Sequence, residues 1–148
     1  MEGIGQNQAK GSGRMARVLA VDDDAKIRDL LDTLLRRKGH QVLTADHGQK
    51  GIDVFRRERP DITILDLKMP NMNGIEALRQ IRQIDPHAPV IILTAVGTET
   101  EEEQARALGV TEFLHKGFSL HELGDALNRL MQERGLAASK PPSSGRTR

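Results

Sequence analysis

Apolar residues along the middle of the chain alternate between two patterns. Val18 to Val21 is a compact run closed by acids, too short for a helix, and it predicts a strand buried on both faces. Ile27, Leu30, Leu31, Leu34 and Leu35 then recur at helical spacing, and Gly39 after Arg36, Arg37 and Lys38 is a stop signal. The alternation repeats. Val42 and Leu43 predict a second strand, Ile52 and Phe55 mark a short helix that ends before Pro60, and ITIL, Ile62 to Leu65, predicts a third strand running into Asp66. After the turn MPNMNG, a helix carries Ile75, Leu78, Ile81 and Ile84. PVIIL, opening at Pro89, predicts a fourth strand that ends at Thr94. Thr98 to Ala107 should be helical, but with few apolar positions and the acids Glu101, Glu102 and Glu103 it reads as a loosely docked, mobile element. Val110 to Leu114 predicts a fifth strand that runs through His115 to Lys116, and Leu120, Leu123, Leu127, Leu130 and Met131 line a last helix.

Five repeats of strand then helix imply an α/β fold, a parallel sheet with helices on both faces. Right-handed crossovers leave few topologies open. In such sheets functional groups gather beyond the carboxyl ends of the strands, beside the switch in strand order. The polar residues at those ends are Asp22, Asp23 and Asp24 after the first strand, Asp66 after the third, Thr94 after the fourth and Lys116 after the fifth. One edge of the sheet therefore holds an acid cluster, a hydroxyl and an ammonium.

Composition narrows what these groups can do. A chain of 148 residues fits one domain, read as 16–133, with an N-terminal arm or expression scar over 1–15 and a disordered basic Pro/Ser-rich tail over 134–148. The net charge of +1 argues against an obligate nucleic-acid binder, and with Arg134, Lys140, Arg146 and Arg148 all in the tail the body is mildly acidic. Cysteine is absent, which excludes a disulfide framework and thiolate metal sites. No apolar run approaches the ~20 residues that span a bilayer, so the expected setting is cytoplasmic, away from membranes.

Three carboxylates held together demand a cation, and oxygen ligands without His or Cys favour a hard ion such as Mg²⁺. A phosphoryl group at that place would share its oxygens among the metal, Lys116 and Thr94. Asp66, alone at the end of a central strand, is then the candidate nucleophile, forming an aspartyl phosphate. Asp24 reads more simply as the cap of a helix starting at Ala25. His40, His47, His87, His115 and His121 show no metal spacing and read as surface or boundary residues, Met69, Met72 and Met131 as packing groups, and Glu101 to Glu103 as a solvated helix face.

With VDDD, ILDLKMPNMNG, ILTA and HKGF in this order at strand ends, the chain from about Arg17 to about Glu133 resembles a response-regulator receiver domain, the phosphoacceptor module of two-component signalling. The resemblance implies a (βα)5 flavodoxin-like doubly wound sheet of strand order 2-1-3-4-5. It places phosphorylation on Asp66 and direct metal contact on Asp23. Asp22 would act on the ion through water, and Lys68 would supply its backbone carbonyl. Thr94 matches the switch hydroxyl, Lys116 the ammonium that pairs with the phosphoryl group, and Phe113 the aromatic that rotates inward on activation. Some positions depart from the family. Its usual cis Lys-Pro is here Lys116 followed by Gly117, and a non-proline cis bond costs ~3 kcal/mol, so a trans bond and a looser loop are expected. Phe113 lacks the hydroxyl of a Tyr, Val96 stands at a position that influences phosphoryl loss in the family, and Lys68 is unusual beside a phosphate.

The function implied is a stand-alone receiver, a signalling domain that catalyses only its own phosphorylation and dephosphorylation. It would take its phosphoryl group from a phosphohistidine on a sensor histidine kinase or histidine phosphotransfer protein and switch a surface read by a downstream protein. That surface would comprise the Thr98–Ala107 helix, the Phe113 strand and the last helix. A monomer fits best, with dimerisation on phosphorylation as the alternative. Three other readings are open: a receiver-like interaction module that is never phosphorylated, a receiver piece of a larger regulator or hybrid kinase, and an aspartate-nucleophile phosphatase of the haloacid-dehalogenase kind. The last uses Asp-x-Asp after the first strand with a cap over the substrate, whereas here the lone acid follows the third strand and no stretch is free to build a cap.

Overall fold

A computed structural model of the chain describes residues 15–95 and 98–133. The elements are β1 (Arg17–Val21), α1 (Ala25–Arg37), β2 (Gln41–Ala45), α2 (Gly48–Glu58), β3 (Ile62–Leu65), α3 (Gly74–Ile84), β4 (Val90–Thr94), α4 (Glu99–Ala107), β5 (Glu112–His115) and α5 (Leu120–Glu133). The five strands form one parallel sheet in the order β2-β1-β3-β4-β5, as expected for a flavodoxin-like fold. The arm before Met15, Val96 and the tail after Glu133 lie outside the described residues. No helix among the described residues is long and apolar enough to cross a membrane.

Two cores sandwich the sheet. Leu19, Val21, Leu65 and Ile92 face one side and pack with Ile52 and Phe55 of α2, Leu78 and Ile81 of α3 and Ala105 of α4. Val18, Ala20, Ile64 and Leu93 face the other, with Leu31 and Leu35 of α1 and Leu123, Leu127 and Leu130 of α5. Alternate residues of one strand thus feed opposite cores, which is why the three central strands read as nearly continuous apolar runs.

Local signals set the helix ends. Asp24 caps α1 by accepting from the Lys26 N–H at 2.9 Å, as its position predicts. Gly39, at φ +92°, lets the His40 N–H reach back to the Leu35 carbonyl and close the helix. The same device explains a difference at the fifth strand. Gly109 has φ +88° and the Val110 N–H donates to the Ala105 carbonyl, so Val110 closes α4 and the strand starts only at Glu112. Buried Glu112 then forms a two-pronged ion pair with Arg129 of α5, at 2.7 and 2.8 Å.

Two residues expected to be bland turn out to be structural. His47 is the N-cap of α2, its Nδ1 accepting from the Lys50 N–H at 3.2 Å. Glu101 is not simply part of a solvated face: with Thr98 it forms the capping box that starts α4. Met69 and Met131 are buried and Met72 packs at the core margin, as expected of packing groups.

Candidate functional site

The β1–β3 pairing brings the acids together. Val21 stands opposite Leu65, and the Asp66 N–H donates to the Val21 carbonyl at 3.0 Å, so Asp22 and Asp66 leave the sheet side by side. This is where strand order reverses: from β1 the chain crosses to β2 on one side, and from β3 to β4 on the other. Asp22 and Asp66 are each only 2 % exposed, whereas Asp23 faces solvent. Carboxylate oxygens from Asp22, Asp23 and Asp66 all lie within 4.8 Å of one another.

Each loop is held by specific bonds. Asp22 Oδ1 accepts from the Asp24 N–H at 2.9 Å, and the Arg28 guanidinium donates to the Asp22 carbonyl at 2.7 Å, which ties the β1–α1 loop to the first turn of α1. On the other loop, Asn71 sits in the left-handed region at φ 72°, and the Gly74 N–H donates to the Leu67 carbonyl at 2.8 Å. A side chain on Gly74 would meet backbone, with a Cβ only 2.3 Å from the Asp66 carbonyl oxygen, so the sharp return of this loop requires glycine.

Lys116 enters from the end of β5. Its N–H donates to the Thr94 carbonyl at 2.7 Å, and its ammonium bridges Asp22 at 3.0 Å and Asp66 at 3.2 Å. The peptide to Gly117 is trans and Gly117 adopts φ +94°, so the lysine reaches the acids without the family's proline. Burial pushes the Asp22 carboxyl up to about 6, against the pull of the Asp24 N–H and Lys116. Burial lowers Lys116 in turn, but Asp22 and Asp66 outweigh it and hold the ammonium above its ordinary range. Thr94 is fully buried at the end of β4. Phe113 is half-buried on β5, edge-on to His115 with ring centroids 5.6 Å apart.

Lys68 donates its N–H to Asp66 Oδ1 at 3.3 Å, while its ammonium bonds Glu101 Oε2 at 2.8 Å. Lys68, with help from the Thr98 N–H, holds the Glu101 carboxyl below its usual range. Asp22, Asp23, Asp66 and Lys116 thus meet at one place, the Lys68 backbone borders it, and Thr94 and Phe113 line the strands leading to it. Arg28 was not singled out from sequence, and Glu101 was read only as part of a solvated helix face. Thr98-x-x-Glu101 carries the capping-box pattern that would have found the second.

Residues 18–128 match the profile of the response regulator receiver domain. The chain belongs to this family. The receiver is 36 % identical over 115 residues to sporulation initiation phosphotransferase F of Bacillus subtilis, covering 78 % of this chain and 93 % of that protein. Among solved structures, a response regulator receiver domain protein from Clostridium thermocellum superposes with a TM-score of 0.77 at 34 % identity, covering 82 % of this chain and 98 % of that one. A CheX–CheY–BeF3–Mg²⁺ complex from Borrelia burgdorferi gives a TM-score of 0.74 at 26 % identity, over 78 % of this receiver and 88 % of the matched chain. The receiver spans about half the length of several transcriptional regulators that it also matches. Receiver domains act in two-component signalling and bind Mg²⁺ in an acidic pocket, and the donor set here, three clustered carboxylates without nitrogen or sulfur, fits that ion.

Proposed function

We propose that this receiver accepts a phosphoryl group on Asp66 from a phosphohistidine of a sensor kinase or phosphotransfer protein and passes the event on as a change of surface. The observation that carries this reading is the meeting of Asp22, Asp23 and Asp66 within 4.8 Å, bridged by Lys116. Asp23, Asp66 and the Lys68 carbonyl would hold Mg²⁺, with Asp22 acting through water. The ion would neutralise charge on the transferring group. An Asp66 oxygen attacks phosphorus, a P–O bond forms and the P–N bond breaks. Its electron pair stays on the imidazole, which leaves neutral when its other nitrogen carries the proton. Lys116 then shifts from the carboxylates to a phosphoryl oxygen, and the Thr94 hydroxyl donates to another. Phe113 follows Thr94 inward, selecting a second arrangement of α4 and β5 for a partner to read. The phosphotransferase and the BeF3–Mg²⁺ complex among the similar proteins support this chemistry.

The deciding experiment is intact mass after incubation with acetyl phosphate, with and without Mg²⁺. A Mg²⁺-dependent gain of ~80 Da, the mass of one phosphoryl group, that is absent from Asp66→Asn is expected. No adduct together with no Mg²⁺ binding would instead leave an interaction module of one fixed conformation.

Asp22 adds a pH dependence. A carboxyl whose value is raised to about 6 takes up a proton below that pH and then no longer attracts a cation. Calorimetric Mg²⁺ titrations are expected to weaken roughly tenfold per pH unit below about pH 6 and to level off above it. An affinity constant from about pH 8 to about pH 5 would remove Asp22 from the ion's environment.

A further inference from the structure

The ion pair between Lys68 and Glu101 joins two elements that no strand pairing connects. Lys68 follows Asp66 by two positions in the β3–α3 loop, and its ammonium reaches Glu101 Oε2 at 2.8 Å on the first turn of α4. The other oxygen, Oε1, accepts from the Thr98 N–H at 3.0 Å and so caps the helix. One carboxylate both starts α4 and grips the acceptor loop. The N-terminal half of this helix has little else to hold it: of its 9 residues only Ala105 is buried. The remaining anchors lie at the far end, where Leu108 packs at the core margin, Val110 is buried and Arg82 of α3 donates to the Leu108 carbonyl. Arg106 is engaged within the helix, paired with Glu102 at 2.9 Å.

We propose that the Lys68–Glu101 pair is a latch: it ties α4 to the acceptor loop while Asp66 is unmodified, and a phosphoryl group on Asp66 draws the Lys68 ammonium off Glu101. The latch rests on the phosphoacceptor role proposed for Asp66. Charge sets the direction of exchange. Phosphorylation replaces the single charge of the Asp66 carboxylate with about −1.5 to −2 at neutral pH, while the cations of the site are the same in both states and Glu101 keeps its one charge. The phosphoryl group and Glu101 both carry oxygens that an ammonium on a flexible four-carbon stem can reach in turn. The Lys68 side chain is 50 % exposed and that of Glu101 18 %, so water screens their pairing and a stronger anion nearby can displace it. The Thr98 cap on Oε1 does not involve Lys68, so release leaves α4 helical and changes only how it is tethered.

Hydrogen–deuterium exchange of the α4 amides reads the latch directly, because opening the helix breaks the pair. Glu101→Gln keeps an amide oxygen for the Thr98 cap and removes the charge, and Lys68→Gln removes the other partner. In the unmodified full chain each variant is expected to exchange α4 amides about two- to fivefold faster than wild type, the range an exposed ion pair supports. The double variant should be no faster than the singles, since one interaction cannot be lost twice. After acetyl phosphate and Mg²⁺, with occupancy set by intact mass, wild-type α4 should lose its advantage over the variants. Equal exchange in all unmodified chains would overturn the latch, as would a wild-type advantage that survives full phosphorylation undiminished. If no chain gains a phosphoryl group, the acceptor reading fails and the partner exchange with it, while the unmodified chains still decide whether the tether exists.

Discussion

Lys116→Met should destabilise the Mg²⁺-free receiver by about 3 kcal/mol in urea unfolding, the usual consequence of removing one partner from a buried ion pair. Lys116 is the cation between Asp22 and Asp66, and its side chain is only 15 % exposed. Methionine keeps most of its apolar volume and none of its charge, which leaves two buried carboxylates facing each other. Two further results separate this cause from lost packing. Millimolar Mg²⁺ should restore much of the stability in the variant, since the ion supplies the missing positive charge. Lower pH should help as well. The Asp22 carboxyl already sits at about 6 in the folded chain against 3.8 ordinarily, so protonation favours the folded state as pH falls through that window. A variant equally weakened with and without Mg²⁺, at high and low pH, would mean that Lys116 matters for its stem.

Gly74→Ala should act on both stability and the acceptor. The added Cβ would lie 2.3 Å from the Asp66 carbonyl oxygen and 2.6 Å from the Leu67 Cα, backbone atoms that cannot swing aside. The loop must shift, at an expected cost of ~3 kcal/mol. Because the atom it pushes belongs to Asp66, phosphorylation by acetyl phosphate should slow on the order of 10²-fold even at temperatures where the variant stays folded. Gly51→Ala in α2 is the contrast: its Cβ would meet methyls of the Val21 side chain at 2.8 and 2.9 Å, a side chain and not the backbone of the acceptor loop. An unchanged melt and an unchanged rate for Gly74→Ala would show that the β3–α3 loop has room to spare.

What the sequence revealed follows from how far each interaction reaches along the chain. Val18 to Val21, Ile62 to Leu65 and Val90 to Thr94 were legible as strands because a strand covered on both faces is apolar at nearly every position, here all but Thr63 and the terminal Thr94. The acids at their ends were legible as a site once the alternation implied a parallel sheet, since that topology gathers strand ends at one edge. Val110 was misassigned because apolarity alone cannot tell a strand residue from one closing a helix, and Gly109 before it was the clue. The Lys68–Glu101 pair spans 33 positions and exists only because the β4 crossover sets α4 beside the acceptor loop, so no local pattern could announce it.

The edge of the sheet at β5 bears on how the protein behaves in concentrated solution. An edge strand offers backbone groups to which a second molecule can add a strand, and such addition seeds aggregation. This one is four residues long, and its first residue is Glu112, turned inward and clamped by Arg129. A neighbouring chain docking there would gain few backbone bonds and would have to crowd or strip a charged pair to do so. The Glu112–Arg129 pair thus sets charge at the start of the edge strand, where an incoming strand would have to find its register.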